Sequence, residues 1–517
     1  MKSVDNHIIK KAIVSVSDKT GLVEFCKELN SLGIEIYSTG GTAKLLSSNN
    51  IPVKSVSELT AFPEILDGRV KTLHPAIHAG LLADLGKSEH IEQMSKMNFS
   101  SIDLLVVNLY PFEETLKNEN ATHEMLIENI DIGGPTMLRA AAKNYKWTLP
   151  VINPNRYSEI IENLKANNCT ITEKYRALLA GEVFTFTAYY DALIAGYLNN
   201  FNQVEIPEKL TIPVAKEYEL RYGENPHQKA ALLGHFSSLF EKLHGKELSF
   251  NNIIDINAAS QLILEFEEPT VAIIKHTNPC GVGTGANLVE AWVKAFATDN
   301  ASPFGGILAV NRKIDAEMAR TIHDIFLEVI IAPDYSQEAL DILMKKRDRR
   351  LIQIDFDKVR DAITHDIRSV AGGFLMQTSD KELIDEANIR VVTEKQPSPY
   401  ELRAMMFAWK IAKHVKSNSI VYTSDDRTLA IGAGQMSRVD SSRIAVEKAK
   451  IMGIDLTGSV VASDAYFPFA DGLMQAIEAG ATAVIQPGGS IRDNEVIVAA
   501  NENQISMIFT NMRHFRH

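Results

Sequence analysis

The first 150 residues alternate short apolar runs with amphipathic stretches, and this alternation limits the fold more than any other feature of the sequence. Residues 11–18 (KAIVSVSD) and 34–41 (IEIYSTGG) have the composition of strands, while residues 21–33 (GLVEFCKELNSLG) have apolar residues at helical spacing. Similar apolar runs follow at 102–112 (IDLLVVNLYPF) and 147–153 (WTLPVIN). Strands and helices joined by short links favour βαβ units, and therefore a mainly parallel sheet.

A polar, proline-containing stretch at 199–214 (NNFNQVEIPEKLTIPV) predicts a domain boundary. We expect one domain over residues 1–200 and a second region over 201–517. In this second region strand-like and helix-like runs alternate again in two series, at about 212–375 and 376–517. The two series suggest a duplication, although no residue-level repeat is visible.

Composition narrows the classes of function. The chain has 517 residues, more than one hydrophobic core usually supports, and its 45% hydrophobic and 23% charged content is that of an ordinary globular protein. Three cysteines argue against a disulfide framework and favour the reducing cytoplasm. The sequence shows no signal peptide and no apolar run of membrane-spanning length. A net charge of -12 disfavours nucleic acid, so small molecules are the expected partners.

Two turns in the first domain have the composition of phosphate-binding helix starts. Ser17–Lys19 and Thr39–Thr42 each stand between a predicted strand and a predicted helix, where free amides and small residues suit a phosphate. Either turn alone is equally consistent with a helix cap. The basic residues Arg69 and Lys71 in a later loop favour a phosphate-sugar ligand. Neither turn has the spacing of a P-loop, so nucleotide triphosphate hydrolysis is not predicted.

The segment IDIGGPTMLRAAAKN combines an acid, a pair of glycines and a lysine. Asp131 precedes a predicted helix that begins at Gly133 and Gly134, and Lys143 lies near the other end of that helix. The segment therefore offers backbone amides for an anion together with two titratable side chains.

The stretch AIIKHTNPCG places two basic side chains directly after an apolar run. Val271–Ile274 is predicted to be a short buried strand, which ends at Lys275 and His276 because turn-forming residues follow. Ends of strands are where open α/β sheets build their sites. A structural histidine beside a surface lysine is the plain alternative.

Fragments of a zinc-deaminase motif surround this pair. Such deaminases use H-x-E followed by P-C-x-x-C, and His276, Pro279 and Cys280 match parts of it. Asn278 replaces the required glutamate, however, and Gly283 replaces the second cysteine. We therefore predict no metal site.

Two functions of other classes stay open on the residues alone. Gly281, Gly283 and Ala286 match the G-x-G-x-x-A dinucleotide fingerprint and would support an NAD-dependent oxidoreductase, although five residues separate them from the strand. The N-terminal turns alone would also suit a noncatalytic phosphate-sugar sensor.

Taken in order along the whole chain, the motifs resemble one enzyme family. They are SVSDKTGLVEF, DGRVKTLHP, NLYPF, IDIGG with LRAAAKN, LRYGENPHQ, KHTNPCG, SDAYFPF and MRHFRH. The family joins phosphoribosylaminoimidazolecarboxamide (AICAR) formyltransferase to inosine monophosphate (IMP) cyclohydrolase.

The resemblance implies an α/β fold, with an N-terminal parallel-sheet domain similar to methylglyoxal synthase and a C-terminal region of two cytidine-deaminase-like α/β subdomains. It implies the last two steps of IMP biosynthesis: formyl transfer from 10-formyltetrahydrofolate to AICAR, then dehydrative ring closure. The folate is a co-substrate, and no tightly bound cofactor is expected. The family also implies a homodimer whose transformylase sites are shared between subunits.

For formyl transfer, the resemblance assigns catalysis to His276 as base and Lys275 as its partner. The residues it assigns to AICAR binding are Arg221, Tyr222, Gly305, Glu328, Asn418, Arg438, Tyr466 and Arg513. Those it assigns to the folate are Val439, Asp471, Ser490 and Ile491. Glu328 and Ile491 depart from the family's usual residues.

For ring closure, the resemblance assigns catalysis to Lys143, Asp131, Lys71 and Tyr110. The residues it assigns to IMP binding are Ser17, Asp18, Lys19, Thr39, Gly40, Gly41, Thr42, Arg69, Val70, Thr72, Asn108, Ile132 and Gly133. The amides of Gly133 and Gly134 are further candidates to stabilise an oxyanion.

Overall fold

The computed structural model describes residues 5, 7–63, 65–66, 70–384 and 389–517. The chain divides into two compact units, Met1–Val214 and Ala215–His517. Among the helices that the structure describes, none combines the length and apolar character needed to cross a membrane.

A parallel sheet forms the centre of the first unit. Its described strands are β1 (Lys11–Ser15), β2 (Glu35–Ser38), β3 (Lys54–Ser55), β4 (Leu104–Val107) and β5 (Leu149–Val151). They lie in the order β3-β2-β1-β4-β5, and each neighbouring pair is parallel. The parallel sheet predicted from the alternating apolar runs is thus confirmed.

Helices cover both faces of this sheet. They are α1 (Leu22–Ser31), α2 (Gly40–Ser48), α3 (Val56–Thr60), α4 (Pro75–Leu82), α5 (Ser88–Lys96), α6 (Phe112–Leu116), α7 (His123–Glu128), α8 (Gly133–Lys143), α9 (Tyr157–Ala166) and α10 (Glu173–Phe201). Along β1, Ala12 and Val14 pack against one apolar layer and Ile13 against the other. A strand buried on both faces reads as a continuous apolar run, which explains the sequence of β1.

The described residues of the second unit form two large mixed sheets and two small hairpins. Its strands are β6 (Lys216–Leu220), β7 (Ala230–Leu233), β8 (Phe240–His244), β9 (Thr270–Lys275), β10 (Asn278–Thr284), β11 (Gly306–Val310), β12 (Leu327–Ala332), β13 (Arg350–Ile354), β14 (His365–Val370), β15 (Gly373–Thr378), β16 (Arg390–Val391), β17 (Ile420–Thr423), β18 (Thr428–Gly432), β19 (Val460–Ser463), β20 (Ala483–Gln486) and β21 (Ser506–Phe509). Its helices are α11 (Phe250–Ile263), α12 (Leu288–Thr298), α13 (Ala316–Ile322), α14 (Gln337–Leu343), α15 (Phe356–Ala362), α16 (Pro399–Ala412), α17 (Arg438–Met452), α18 (Ala470–Glu478) and α19 (Asp493–Glu502).

The two large sheets share one topology. One has the order β10-β9-β11-β12-β13-β8, and the other has the order β18-β17-β19-β20-β21-β16. In each, an antiparallel hairpin lies beside three mutually parallel strands, and an antiparallel strand closes the far edge. The duplication that the sequence only suggested is therefore visible in strand order and direction.

The structure of the residues after His276 differs from the loop that their composition predicts. Asn278–Gly281 has the residue types of a loop, yet the chain turns within His276 and Thr277 and continues as β10. Both turn residues have positive φ, 51° and 64°, as in the tight turns that join twisted antiparallel strands. Pro279 fits because β10 is the edge strand of its sheet.

Glycines in β10 have a packing role. A Cβ on Gly283 would lie 2.6 Å from the carbonyl oxygen of Ala291, and one on Gly281 would overlap the carbonyl of Ala295. Both carbonyls belong to α12, which therefore lies directly on the strand. Because these glycines are inside a strand and not at a helix start, the dinucleotide interpretation loses its structural basis.

Cys280 is also accounted for by packing. It contacts the apolar cluster that contains Trp292 and Ala295. Burial raises the pKa of its thiol to about 12, which disfavours the thiolate that zinc would require.

Candidate functional sites

A cavity of about 580 Å³ lies at the carboxyl edge of the first unit's sheet. Loops that follow β1, β2 and β4 meet there, and its size suits a nucleotide-sized ligand. The predicted site residues that line it are Ser17, Lys19, Thr39, Gly40, Gly41, Thr42, Lys71, Thr72, Asn108, Tyr110, Asp131, Ile132 and Gly133. The cavity thus brings together most residues that the sequence assigned to ring closure.

Helix α2 begins at this cavity without a side-chain cap, since Thr39 makes no capping hydrogen bond, whereas α7 and α10 are capped by Thr122 and Thr172. Ile132, which precedes α8, makes no capping hydrogen bond either, but the Asp131 carboxylate binds the amide of Gly134 in the first turn of α8. Uncapped helix starts leave backbone N–H groups available to an anion. Lys71 Nζ lies 3.9 Å from the position that a Cβ on Gly40 would occupy, so a cation faces the start of α2.

Asn108 holds the loop after β1. Its Oδ1 accepts hydrogen bonds from the amides of Ser17 (2.6 Å) and Asp18 (3.0 Å), and its Nδ2 donates to the Asp18 carbonyl (2.9 Å). The Asp18 carboxylate accepts from Thr20 and does not line the cavity. Asn108 therefore shapes the cavity wall.

Asp131 is the predicted catalytic acid that lines this cavity. Its Oδ1 accepts from the amide of Gly134 (2.9 Å), and a Cβ on Gly134 would lie 2.5 Å from Oδ2, so the close approach requires glycine. Burial raises the pKa of Asp131, although the amides of Gly134 and Tyr110 and the charge of Lys71 oppose this shift.

Besides Asp18, two described residues among those predicted do not line the cavity. Lys143 is the last residue of α8, roughly 15 Å along the helix from its start, and it lines a separate groove with Arg139 and Phe184. Val70 does not line the cavity and forms an isolated bridge with Ile65. Arg69 is outside the described residues.

In the second unit, Lys275 and His276 lie at the turn between β9 and β10. Lys275 Nζ donates to the carbonyl of Phe304 at 2.9 Å, which places the lysine beside Gly305. Gly305 has a φ of 77°, a conformation that favours glycine, and its amide donates to Phe326. The His276 side chain is exposed.

Helix α11 holds this turn through Asp255. The carboxylate accepts from the amide of Thr277 at 2.7 Å, and burial raises its pKa against the opposing effect of amides and of His276. No local signal in the sequence marks Asp255 as part of the site, because the contact joins residues that are 22 positions apart.

Two asparagines in the first turn of α11 bind two further parts of the predicted site. Asn252 Nδ2 donates to the Glu328 carboxylate at 3.1 Å. Asn251 Nδ2 donates to the carbonyl of Glu224, in the turn that also contains Arg221–Tyr222. The Arg221 guanidinium lies 5.7 Å from the centre of the Tyr222 ring. One helix thus positions the Lys275–His276 turn, Glu328 and the Arg221–Tyr222 turn.

A second cluster surrounds Asp464, at the carboxyl edge of the other large sheet. Asp464 is fully buried and accepts from Ser417 Oγ (2.6 Å) and from Arg438 Nη2 (3.2 Å). Burial raises its pKa, against the effect of these two donors, and burial also lowers the pKa of Arg438. The sequence analysis missed Asp464, although its position in SDAYFPF directly after a strand was a usable signal.

Phe515 lies close to two predicted nucleotide-binding arginines. The guanidinium of Arg513 is 4.3 Å from its ring centre and that of Arg438 is 5.8 Å away. Nearby, Asn418 Nδ2 donates to the carbonyl of Gln435 at 2.9 Å.

The predicted folate residues lie along the same edge of this sheet. Asp471 follows β19, Ser490 and Ile491 follow β20, and Val439 is in the first turn of α17. Tyr466, which was assigned to AICAR, also follows β19. The Ile491 side chain is completely exposed, which makes it available to a ligand.

Asn278 connects the two clusters. Its Oδ1 accepts from the amide of Lys416 at 2.9 Å, and its Nδ2 donates to the carbonyl of His276 at 3.1 Å. The residue that breaks the zinc-deaminase motif therefore ties the Lys275–His276 turn to the Ser417–Asn418 segment.

Known proteins are similar to this chain over nearly its full length. A family model described as "AICARFT/IMPCHase bienzyme" matches residues 141–448, and an "MGS-like domain" model matches residues 21–136. The bifunctional purine biosynthesis protein PurH of Chlorobium chlorochromatii is 52% identical and covers 99% of both chains. That of Chloroflexus aurantiacus is 53% identical and covers 98% of this chain and 99% of its own. The "Crystal structure of ForH" is 30% identical over 36% of this chain and 97% of that chain, with a TM-score of 0.33.

The raised pKa of Asp131 leads to a stability prediction. From its ordinary value of 3.8 up to the raised value, the folded chain keeps a proton that the unfolded chain releases, so stability falls as the pH rises through this range. Asp131→Asn removes this penalty. We predict a higher midpoint of thermal unfolding than wild type at pH 7, and an advantage that disappears as the pH is lowered below 3.8.

Asp18→Asn is the matched control, because hydrogen bonds from Thr20 lower the pKa of Asp18 and its replacement should give no gain at pH 7. A midpoint for Asp131→Asn below that of wild type at pH 7 would show that the buried charge stabilises the fold.

Proposed function

The chain belongs to the family of bifunctional enzymes that join AICAR formyltransferase to IMP cyclohydrolase, and from this premise we propose that its two units carry the two reactions at separate sites. The family catalyses the last two steps of purine biosynthesis. We assign ring closure to the cavity of the first unit and formyl transfer to the two clusters of the second. The domain boundary then lies between residues 200 and 215.

Formyl transfer requires a base. The 5-amino group of AICAR is conjugated with the ring and its carboxamide, so it attacks the formyl carbon of 10-formyltetrahydrofolate only if its proton is removed. We assign His276 as the base, since histidine is the side chain that most often serves this role. Lys275 stabilises the oxyanion that develops on the formyl oxygen, and the folate nitrogen leaves with a proton.

One observation carries this assignment. The first turns of α11 contact the Lys275–His276 turn, Glu328 and the loop containing Arg221–Tyr222, which are separated by up to about 100 positions in sequence. A purely structural role for His276 would not require one helix to hold these other polar segments as well. Arg438, Asn418 and Arg513 complete the proposed nucleotide site, with Gly305 and Tyr466 beside it, and the edge segment with Val439, Asp471, Ser490 and Ile491 takes the folate.

Ring closure is intramolecular, so positioning supplies most of the rate enhancement. The carboxamide nitrogen attacks the formyl carbon and water leaves. We propose that the uncapped start of α2 binds anionic oxygens of the nucleotide, and that Asp131, Lys71 and Tyr110 act on the reacting groups. The arrangement supports this proposal because an acid, an ammonium and free amides face one cavity.

Lys143 acts in this reaction only if a second copy of the chain supplies it. In its own chain it lies at the far end of α8 and lines another groove. We therefore propose a homodimer in which Lys143 reaches the partner's cavity. We further propose that the enzyme is cytoplasmic and uses folate as a co-substrate without a tightly bound cofactor.

The direct test is to incubate the protein with AICAR and 10-formyltetrahydrofolate. We expect tetrahydrofolate and IMP to form. Saturable binding without turnover would instead support a phosphate-sugar sensor, and hydride transfer with NAD would support an oxidoreductase.

His276→Ala separates the two reactions. Loss of the base should lower formyl transfer by ~100-fold or more. Closure of supplied formyl-AICAR should be unchanged, since it takes place in the other unit. Both rates are measured on one preparation, with the exposed His235→Ala as control. Loss of both activities in a folded His276→Ala protein would contradict the division.

A complementation experiment tests the shared closure site. Asp131→Asn and Lys143→Ala should each lower closure turnover by ~100-fold. When the two variants are mixed and allowed to exchange subunits, half of the random dimers are mixed, and each of these has one complete site. We predict recovery to about a quarter of the wild-type rate.

Asp131→Asn mixed with itself is the control for this recovery. No recovery in dimers shown to have exchanged would mean that Lys143 does not cross to the partner. Near-normal turnover of Lys143→Ala alone would remove this lysine from the reaction.

A further inference from the structure

The segment after β21, Thr510–His517, contains Arg513 and Phe515 but forms no helix or strand. The amides of Thr510, Asn511 and His514 hold its first part through hydrogen bonds to main-chain carbonyls. Its last part is held at Arg516: the amide of Ser417 donates to the Arg516 carbonyl at 2.9 Å, and Ser417 Oγ accepts from the Arg516 amide at 3.0 Å. Arg516 is therefore an anchor of the main chain directly after Phe515.

The side chain of Arg516 runs in the opposite direction, into the protein. One guanidinium nitrogen is 2.9 Å from Nδ1 of His414, and the other donates to Gln261 at 3.0 Å. An arginine has only donors, so Nδ1 of His414 must be the acceptor.

The other ring nitrogen of His414 completes the assignment. Nε2 is 2.8 Å from the carboxylate of Glu265, which also pairs with Lys413 at 2.9 Å. A ring that accepts at Nδ1 and donates at Nε2 is a neutral imidazole. His414 is only 5% exposed, and burial lowers its pKa to about 4, which is consistent with the neutral form.

Two paths connect this anchor to Arg438. Phe515, adjacent to the anchored residue, lies close to the guanidinium groups of Arg438 and Arg513. Ser417, which binds the anchor's main chain, donates to Asp464, and Asp464 accepts from Arg438. A shift of the anchor therefore moves a nucleotide-binding arginine through both paths.

We propose that His414 is a positioning residue for formyl transfer, which links Glu265 to Arg516 so that Phe515 and Arg438 keep the geometry that binds the nucleotide. This inference rests on the proposed function of the second unit. His414 does not touch the reacting atoms, so its replacement changes binding of AICAR more than it changes the chemical step.

The test compares two replacements in the full chain. His414→Phe keeps a ring of similar size and removes both nitrogens, whereas His414→Gln keeps a neutral acceptor and a donor. We expect His414→Phe to raise the KM for AICAR about tenfold, because a buried guanidinium loses its acceptor, with a smaller change in kcat. His414→Gln should return KM most of the way to the wild-type value, and closure of formyl-AICAR should be unaffected in both.

Lys413→Met is the matched control, since Lys413 pairs with the same glutamate but the hydrogen bonds of its ammonium do not reach the segment after β21. It should lower the midpoint of thermal unfolding and leave KM unchanged. If His414→Phe does not fold, Arg516→Met should raise KM in the same way.

A wild-type KM in folded His414→Phe or in Arg516→Met would overturn the inference, as would an equal rise in KM for Lys413→Met. Absence of formyl transfer in the wild-type protein would instead overturn the proposed function.

Discussion

The contact between β10 and β18 determines where the second unit can build a site. The amide of Val282 donates to Thr428 Oγ1 at 2.9 Å, and the amide of Thr284 donates to the carbonyl of Asp426 at 2.8 Å. Because these strands run antiparallel, the amino edge of one sheet's parallel strands adjoins the carboxyl edge of the other. Residues from both halves of the duplication converge only because of this arrangement.

Buried carboxylates recur beneath the proposed sites. Asp131 in the first unit and Asp255 and Asp464 in the second all have a pKa raised by burial, and each accepts hydrogen bonds from amides, hydroxyls or a guanidinium. Each charge reduces stability relative to a neutral group. Each carboxylate also fixes a loop or an arginine in a defined position. Functional sites commonly reduce the stability of the fold in this way.

Local sequence patterns predicted the parts of the structure that depend on local physics. The parallel sheet follows from apolar runs such as Ile13–Val14 that are buried on both faces, and the end of β9 at Lys275 follows from the turn-forming residues after it. β10 was missed because Asn-Pro-Cys-Gly-Val-Gly has little β propensity. Its glycines are explained by the approach of α12, which the local pattern does not reveal.

The remainder of the sites depends on contacts between distant residues. Asp255 and His276 are separated by about 20 positions, and His414 and Glu265 are separated by 149. Lys143 and Asp131 are close in sequence, but the length of α8 separates them in space. Family resemblance supplied most of the proposed ligand-binding residues, because such roles depend on tertiary positions that periodicity does not encode.

The central claim is that the two reactions occupy independent structural units, and the first unit alone tests it most directly. Residues 1–214 are expressed as a separate protein, and closure of supplied formyl-AICAR to IMP is measured after circular dichroism has established folding. Because Lys143 is proposed to come from a second copy, the fragment is assayed as a dimer, which size-exclusion chromatography establishes. We predict that the dimeric fragment closes the ring at a rate similar to that of the full chain and performs no formyl transfer. A folded, dimeric fragment that fails to close formyl-AICAR would contradict the claim.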